Sequence, residues 1–393
     1  MKYKKVKLKD IIFFNPKETI KKNQLAKKIP MDALIPFTRK VGYYEVKEFN
    51  SGTKFRNNDT LMARITPCLE NGKTAYVNIL NEDEIAFGST EYFVLRADEN
   101  YILPKYLYYI SISDKLRNVA IKSMTGTSGR QRAQKESILD FEIELPSISI
   151  QKKVLSILDS IDSKIELNNQ IISNLEELAS TLFKRWFVDF EFPDENGNPY
   201  KSSGGKMVDS ELGEIPEGWE INPLSSIAKI TSGKRPDVKK TNPDKDNIIP
   251  IVGASKIMGY TNQVLENGSI ITTGRVGTHG IIQRYREKVW VSDNSFIIKS
   301  DTEEFLNQIL LRIDYKNLNR GSTQPLITQT DLKKYKIVLP SSKFIEMFES
   351  VISKLTECEF QIKKQNLNLE KIRDSLLPKL LSGEIELTED EGV

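Results

Sequence analysis

The chain has 393 residues, a formal net charge of +3, one histidine and two cysteines. That length holds two or three domains, and the near balance of charge leaves nucleic-acid binding open on composition alone. Cys68 and Cys358 exclude a disulfide framework or a cysteine-built zinc site, a lone histidine excludes a two-histidine metal site, and no apolar run reaches bilayer length.

The opening segment, "MKYKKVKLKD", is basic and lacks the apolar core of a signal peptide, so a cytoplasmic protein without membrane association is expected. Ten lysines fall in the first 28 residues against Asp10 and Glu18. This arm is either a solvated terminus or part of a binding surface. Residues 1–145 read as a mixed domain of short alternating strands with one helical stretch at 104–121. Residues 146–192 then carry a long helix. Val154, Leu158, Ile161, Ile165, Asn168, Ile172, Leu175, Ala179, Leu182 and Trp186 alternate at four and three, a heptad stripe held for more than four heptads. Asn168 either fixes register inside that stripe or is partly exposed near mid-helix. Trp186 and Phe187 either pack at the helix end or meet a partner. The alternating tail "VDFEF" (188–192) predicts a short strand. Residues 193–218, rich in Gly, Pro, Ser and charge, read as a linker or exposed loop.

A second mixed domain is expected at 219–340, with a helix near 303–313, followed by a second long helix within 341–387. Its stripe comprises Phe348, Ile352, Leu355, Glu359, Ile362, Asn366, Leu369 and Leu376, widened by Val351, Cys358 and Ile372. Pro378 and Gly383 are stop signals, and "GEIEL" (383–387) again alternates like a strand. An acidic tail, 388–393, closes the chain.

The two halves repeat one plan. "GTSGRQRAQKESILDFEIELP" (126–146) matches "GSTQPLITQTDLKKYKIVLP" (321–340), placing Pro146 and Pro340 194 residues apart. "GSTEYFVLRADE" (88–99) matches "VSDNSFIIKSDTE" (291–303), and "VKLKDII" (6–12) loosely matches "NPLSSIA" (222–228). Neither long helix can hide its stripe alone, so the two are expected to pair. A two-fold relation between the copies makes the pair antiparallel, at most ~60 Å long at ~1.5 Å per residue, with each helix ending at the far domain. The fold class is therefore α+β, with two strand-rich domains joined by an antiparallel coiled coil from a tandem repeat.

Catalytic motifs are missing. The only fragment near a methyltransferase Asn/Asp-Pro-Pro-aromatic motif is "NPY" (198–200), which lacks the second proline. No Gly-x-x-x-x-Gly-Lys-Ser/Thr loop is present, and "PDVKK" (236–240) reads as a turn rather than a nuclease site. Residues suited to DNA are basic or amide-bearing, because Arg and Lys pair with guanine and Asn and Gln with adenine. In the first domain these are Arg64, Lys73, Lys122, Arg130, Gln131 and Arg132. In the second they are Lys234, Arg235, Arg275, Arg320 and Gln324, with His279 in "GRVGTHG" either a DNA contact or an ordinary loop residue. Each alternatively serves as a surface charge or a phosphate contact.

Four stretches carry a family resemblance: "LPSISIQKKVLSILDSIDSKIELNNQIISNLEELASTLFKRWF" (145–187), "GEIPEGW" (213–219), "LITQTDLKKYKIVLP" (326–340) and "LEKIRDSLLPKLLSGEIEL" (369–387). With the two-copy order, the chain resembles a specificity subunit of a type I restriction–modification system. The resemblance implies two target-recognition domains, each reading half of a split double-stranded DNA sequence, and helices that set the gap. It also implies two adenine methyltransferase partners using S-adenosylmethionine and two translocase–nuclease partners using ATP and magnesium, with no cofactor on this chain. The competing expectations are a coiled-coil protein scaffold with no DNA role and an enzyme with a cryptic site.

Overall fold

Alternate side chains of neighbouring strands split the first domain into two cores. Along the strands Thr60–Ala63 and Tyr92–Ala97, Met62, Phe93 and Leu95 join one apolar cluster, while Leu61, Tyr92 and Val94 join another. Both faces are covered, so these strands read as continuous apolar runs rather than the alternation expected from sequence. The structure is a computed structural model and describes residues 3–318 and 326–387. The tail 388–393, Arg320 and Gln324 lie outside the described residues.

The chain divides into two compact units, Met1–Gln170 with Ile362–Val393, and Ile171–Gln361. In the first unit one sheet orders the strands Ile12–Phe14, Tyr92–Ala97, Thr60–Ala63 and Thr74–Tyr76. A second orders Glu45–Glu48, Leu25–Ile29, Ala86–Gly88 and Thr53–Phe55, its middle pair parallel. Lys4–Lys7 pairs with Glu142–Leu145, Val6 opposite Ile143. Helices α1 (Pro104–Ile112), α2 (Asp114–Lys122) and α3 (Lys135–Leu139) complete it. The helical stretch expected at 104–121 is broken at Ser113, whose extended backbone lets its hydroxyl cap α2 by accepting the Leu116 N–H.

The second unit repeats the first. The strands Lys229–Ser232, Ser295–Lys299, Ile270–Gly274 and Gln283–Tyr285 form one sheet, and Ile257–Thr261, Ile249–Val252 and Trp290–Val291 another, again with one parallel pair. Glu220–Pro223 pairs with Lys336–Leu339 as Lys4–Lys7 does with Glu142–Leu145. Ile271, Phe296 and Ile298 face one core; Ile270 and Ile297 face the other. Its short helices are labelled in chain order after the first long helix, α4 (Ile148–Phe187): α5 (Glu303–Leu310) and α6 (Gln329–Lys333).

Helix α4 and the second long helix, α7 (Ser342–Leu381), are each 40 residues. Within the first unit Asp162 meets Arg373 at 3.1 Å, and six residues later Asn168 meets Asn366 at 2.7 Å. Rising numbers on α4 oppose falling numbers on α7, so the segments are antiparallel. In the second unit Phe183 and Phe187 pack on Phe348, whereas Phe192, beyond the helix, packs on Phe344, the same sense.

The stripe differs in detail from its sequence reading. Val154, Leu158, Ile165, Ile172, Ala179, Phe348 and Ile352 are buried. Leu175, Leu355, Glu359, Ile362, Leu369 and Leu376 are half-buried. At three places the buried residue is the next one along: Asp162 rather than Ile161, Phe183 rather than Leu182, and Phe187 rather than Trp186. Val351 and Ile372, expected to widen the stripe, are exposed, as is Cys358. Asn168 is buried, and its amide donates to both Gln365 and Asn366, while Asn366 donates to Asn169. A satisfied amide layer inside an apolar seam favours this one register.

The strands expected after each long helix are not strands. After α4, Phe190 has φ +62° and the Glu191 N–H returns to the Arg185 carbonyl at 2.8 Å. After α7, Gly383 has φ +72° and the Ile385 N–H reaches the Lys379 carbonyl at 3.3 Å. These bonds satisfy orphan carbonyls at the helix ends, leaving no sheet edge to join. The alternating apolar residues pack instead: Phe192 stacks between Tyr200 (4.6 Å) and Trp219 (4.8 Å), and Ile385 and Leu387 cover the first unit's core. Nor is 193–218 merely a linker. Met207–Ser210 and Gly213–Pro216 form a hairpin, and Ile215 is buried in the second unit's core.

Candidate nucleic-acid interface

Arg64 leaves the end of the strand Thr60–Ala63, held by backbone bonds to Glu91 (N–H to C=O, 3.0 Å) and from Ala133 (2.8 Å). Its guanidinium lies over Phe93, 5.4 Å from the ring centre, and its Nε is 3.3 Å from a Glu91 oxygen. The segment 125–133 returns alongside: Thr125 and Arg132 exchange backbone bonds, and the Thr66 N–H reaches the Gln131 carbonyl at 3.0 Å. Arg132 then grips Glu91 with Nη2 at 2.7 Å and Nε at 3.0 Å. The hydrogen bond from Arg132 holds the Glu91 carboxyl below its usual range, despite partial burial. Glu91 therefore pairs with two arginines at once and offsets one of their two charges.

Arg130 is exposed, on a loop whose Gly126 and Gly129 take positive φ. Gln131 is half-buried beside it. Lys73 joins the same strand end by its backbone, but its ammonium turns away to the Met31 carbonyl at 2.8 Å. Lys122 is exposed on the last turn of α2. Arg64, Arg132, Phe14, Phe93, Thr125 and Gln134 line a cavity of about 350 Å³. A larger one, about 830 Å³, lies between Phe37, Tyr106, Phe141 and Leu377 and includes none of these basic residues.

The second unit builds the same end. Arg275 follows the strand Ile270–Gly274, donates its N–H to Asn294 (2.9 Å) and accepts from Ile327 (2.9 Å), as Arg64 does with Glu91 and Ala133. Its guanidinium lies 6.0 Å from the Phe296 ring centre. The segment Ser232–Arg235 lies against the same turn: Gly233 N–H bonds the Ser295 carbonyl at 2.9 Å, Lys234 N–H bonds the Val291 carbonyl at 2.9 Å, and the Trp290 indole donates to the Lys234 carbonyl at 2.7 Å. A Cβ on Gly233 would come within 2.2 Å of the Ser292 carbonyl oxygen, so only glycine fits. Lys234 and Arg235 are exposed. His279 Nδ1 sits 3.3 Å from the Gly274 carbonyl, and its Nε2 is buried with no partner. Arg275, Lys234 and Arg235 thus gather at one turn.

Sequence reasoning named these basic residues but missed Glu91, Asn294 and the two phenylalanine floors. The signal was present: aligning "GSTEYF" with "VSDNSF" sets Glu91 against Asn294 and Phe93 against Phe296. Among the described residues no cluster of His, Cys, Asp or Glu can hold a metal ion, and no helix is long and apolar enough to cross a membrane.

Two copies of one α+β domain, each with a basic loop-built end and each seated on segments of a helix pair, define a duplicated recognition protein. The family model described as "Type I restriction modification DNA specificity domain" matches residues 1–177 and again 216–370. The chain belongs to that family and is a DNA-recognition subunit of the type I restriction–modification kind. It is 24% identical to the type I restriction enzyme HindI specificity subunit of Haemophilus influenzae, over 84% of this chain and 87% of that one. It is 27% identical to the MjaIX specificity subunit of Methanocaldococcus jannaschii, over 73% and 70%. A crystal structure of the type I restriction–modification system S subunit from M. genitalium shares the fold, with a TM-score of 0.57 at 15% identity over 98% and 97% of the two chains. Nothing in these likenesses favours the scaffold alternative.

Proposed function

We propose that each domain reads one half of a split duplex sequence through the basic end described above, and that the helix pair sets the gap between the halves. The observation that carries this is the repetition itself. Arg64 and Arg275 leave equivalent strands, take equivalent backbone bonds and lie over equivalent phenylalanines. One structural device kept in two otherwise divergent domains suits two readers of one kind of ligand. Arg130 and Gln131, and Lys234, Arg235 and His279, supply further partners for base edges or phosphates, while Arg132 holds the first of these loops on Glu91. Lys122 is assigned to a phosphate contact, Lys73 drops out because its ammonium is held by the Met31 carbonyl, and Arg320 and Gln324 complete the set.

Chemistry falls to partners: two adenine methyltransferase subunits using S-adenosylmethionine, and two translocase–nuclease subunits using ATP and magnesium. The test is a genome-wide map of methylated adenines with and without this gene. A split motif that disappears on deletion is the expected result; an unchanged methylation map overturns the reading. Lengthening or shortening α4 within 150–187 is expected to change the gap in that motif and leave both half-sites intact.

A further inference from the structure

Glu91 and Asn294 occupy the same place in the two domains, yet they differ in the one property that matters to a neighbouring arginine. Each residue's carbonyl accepts the backbone N–H of the arginine that ends the adjacent strand. In the first domain the Glu91 side chain pairs with Arg64 and Arg132. In the second, Asn294 offers no charge and Arg275 forms no ion pair among the described residues; the buried Nε of each arginine lacks a hydrogen bond, but only that of Arg64 has a carboxylate beside it, at 3.3 Å. The bridge partner beside it is Leu326, where the first domain has Arg132 opposite Ile65. His279 adds a buried ring nitrogen without a hydrogen bond, five residues from Gly274 along the same loop. A buried donor left unpaired is costly unless a ligand completes it.

We infer that the Glu91/Asn294 position sets how each domain meets DNA: Asn294 leaves Arg275 free to bond DNA directly, whereas Glu91 ties Arg64 and Arg132 into an ion-paired frame that positions the 127–131 loop. This rests on the DNA-reading function above. The chemistry Arg275 requires is a pair of acceptors, which either a phosphate or the O6/N7 edge of guanine supplies.

The experiment uses the chain assembled with its methyltransferase subunits. Binding is measured on a duplex carrying the motif found by methylation mapping and on a scrambled duplex, at several salt concentrations. Asn294→Glu supplies the second domain with the first domain's carboxylate. It and Arg275→Ala are each expected to weaken target binding about tenfold or more, and the double variant is expected to be no weaker than Arg275→Ala alone. Asn294→Gln, uncharged, is expected to bind like wild type, which separates charge from misfolding. A phosphate contact shows as equal weakening on both duplexes and a salt slope smaller by about 1; a guanine contact shows as loss confined to one base pair of the target. Glu91→Gln is expected to raise binding to scrambled duplex and steepen its salt dependence. If wild type discriminates between the duplexes but Asn294→Glu binds as well as wild type, or the double variant's loss is the sum of the single losses, the assignment is overturned. If wild type itself shows no preference, the DNA-reading function falls and the assignment with it.

Discussion

The two units solve one docking problem with opposite charge placement. In the first, the carboxylates lie on α4: Asp159 and Glu166 receive Arg39, Asp159 also receives Lys105, and Asp162 receives Arg373 and the Tyr109 hydroxyl. Adding the 194-residue offset gives Ser353, Phe360 and Thr356 on α7, none of them charged. In the second unit the carboxylates have moved to α5. Glu303 and Glu304 receive Arg284, Thr356 donates to Glu304 at 2.8 Å, and Phe360 lies under Arg284 and Arg286. The duplication has kept the position of the contact and exchanged its chemistry. Packing geometry is inherited as a unit because strands and helices must still fit, whereas a salt link can be rewired wherever both partners change together.

That contrast makes an unequal pair of substitutions the sharpest way to break it. Arg373→Ala leaves Asp162, 3% exposed, without its cation in the seam. A cost of ~3–5 kcal/mol is expected for stranding a buried charge. Its counterpart Thr356→Val removes a neutral donor from a carboxylate that keeps Arg284, and ~1 kcal/mol is expected. Denaturant unfolding followed by hydrogen exchange, which assigns the loss to one unit or the other, measures both. Equal losses would show that the two contacts are energetically alike despite their chemistry.

The charges in this seam explain what sequence periodicity could and could not convey. The stripe was legible, as was the 194-residue offset. Asp162 and Arg373 were not, because a pattern search for apolar residues passes over a buried ion pair and takes Ile161 instead. Toward the end of α4 the strict four-three count drifts: a straight helix slips ~20° per heptad against a 3.5-residue repeat, so Phe183 and Phe187 face inward where Leu182 and Trp186 were expected. The trailing segments failed for another reason. Alternation in "VDFEF" and "GEIEL" records where apolar side chains pack, but strand formation also requires a backbone partner, and the helix ends had already taken those groups. In the candidate interface, the basic residues stood out by type. Glu91, which pairs with two of them, does not, because its charge is the opposite of the one that marks a basic surface.

A smaller effect should come from the side chains that fasten each domain's first helix to its long helix. Gln151, wholly buried, accepts the Leu103 N–H at the entry to α1 and donates to the carbonyls of Tyr101 and Pro146. Gln151→Ala leaves all three backbone groups without that partner. A loss of ~2–3 kcal/mol is expected, read as faster hydrogen exchange through Leu103–Leu107 with the second unit unchanged. Gln151→Glu keeps the acceptor but loses both donated bonds and buries a charge, so it should cost at least as much.

The second unit performs that task with Glu349, one helical turn beyond the position equivalent to Gln151. Its carboxylate accepts the Phe305 N–H in the first turn of α5 at 2.8 Å. Burial raises its pKa, more than the backbone donors lower it. A carboxyl whose folded pKa lies above the unfolded value of ~4.3 binds more protons when folded, so between those two values stability falls as pH rises. Above the folded value the penalty is complete. Glu349→Gln retains the acceptor and removes the charge, giving the second unit the first unit's chemistry. At neutral pH the variant should be as stable as wild type or more so, by up to ~1 kcal/mol. The gap should close as pH drops below the unfolded value, where wild type carries the proton in both states. Urea midpoints measured between pH 4 and 8 test this. A variant less stable than wild type at pH 7 would mean that the charge, held at the positive end of the α5 dipole, stabilises that contact more than its burial costs.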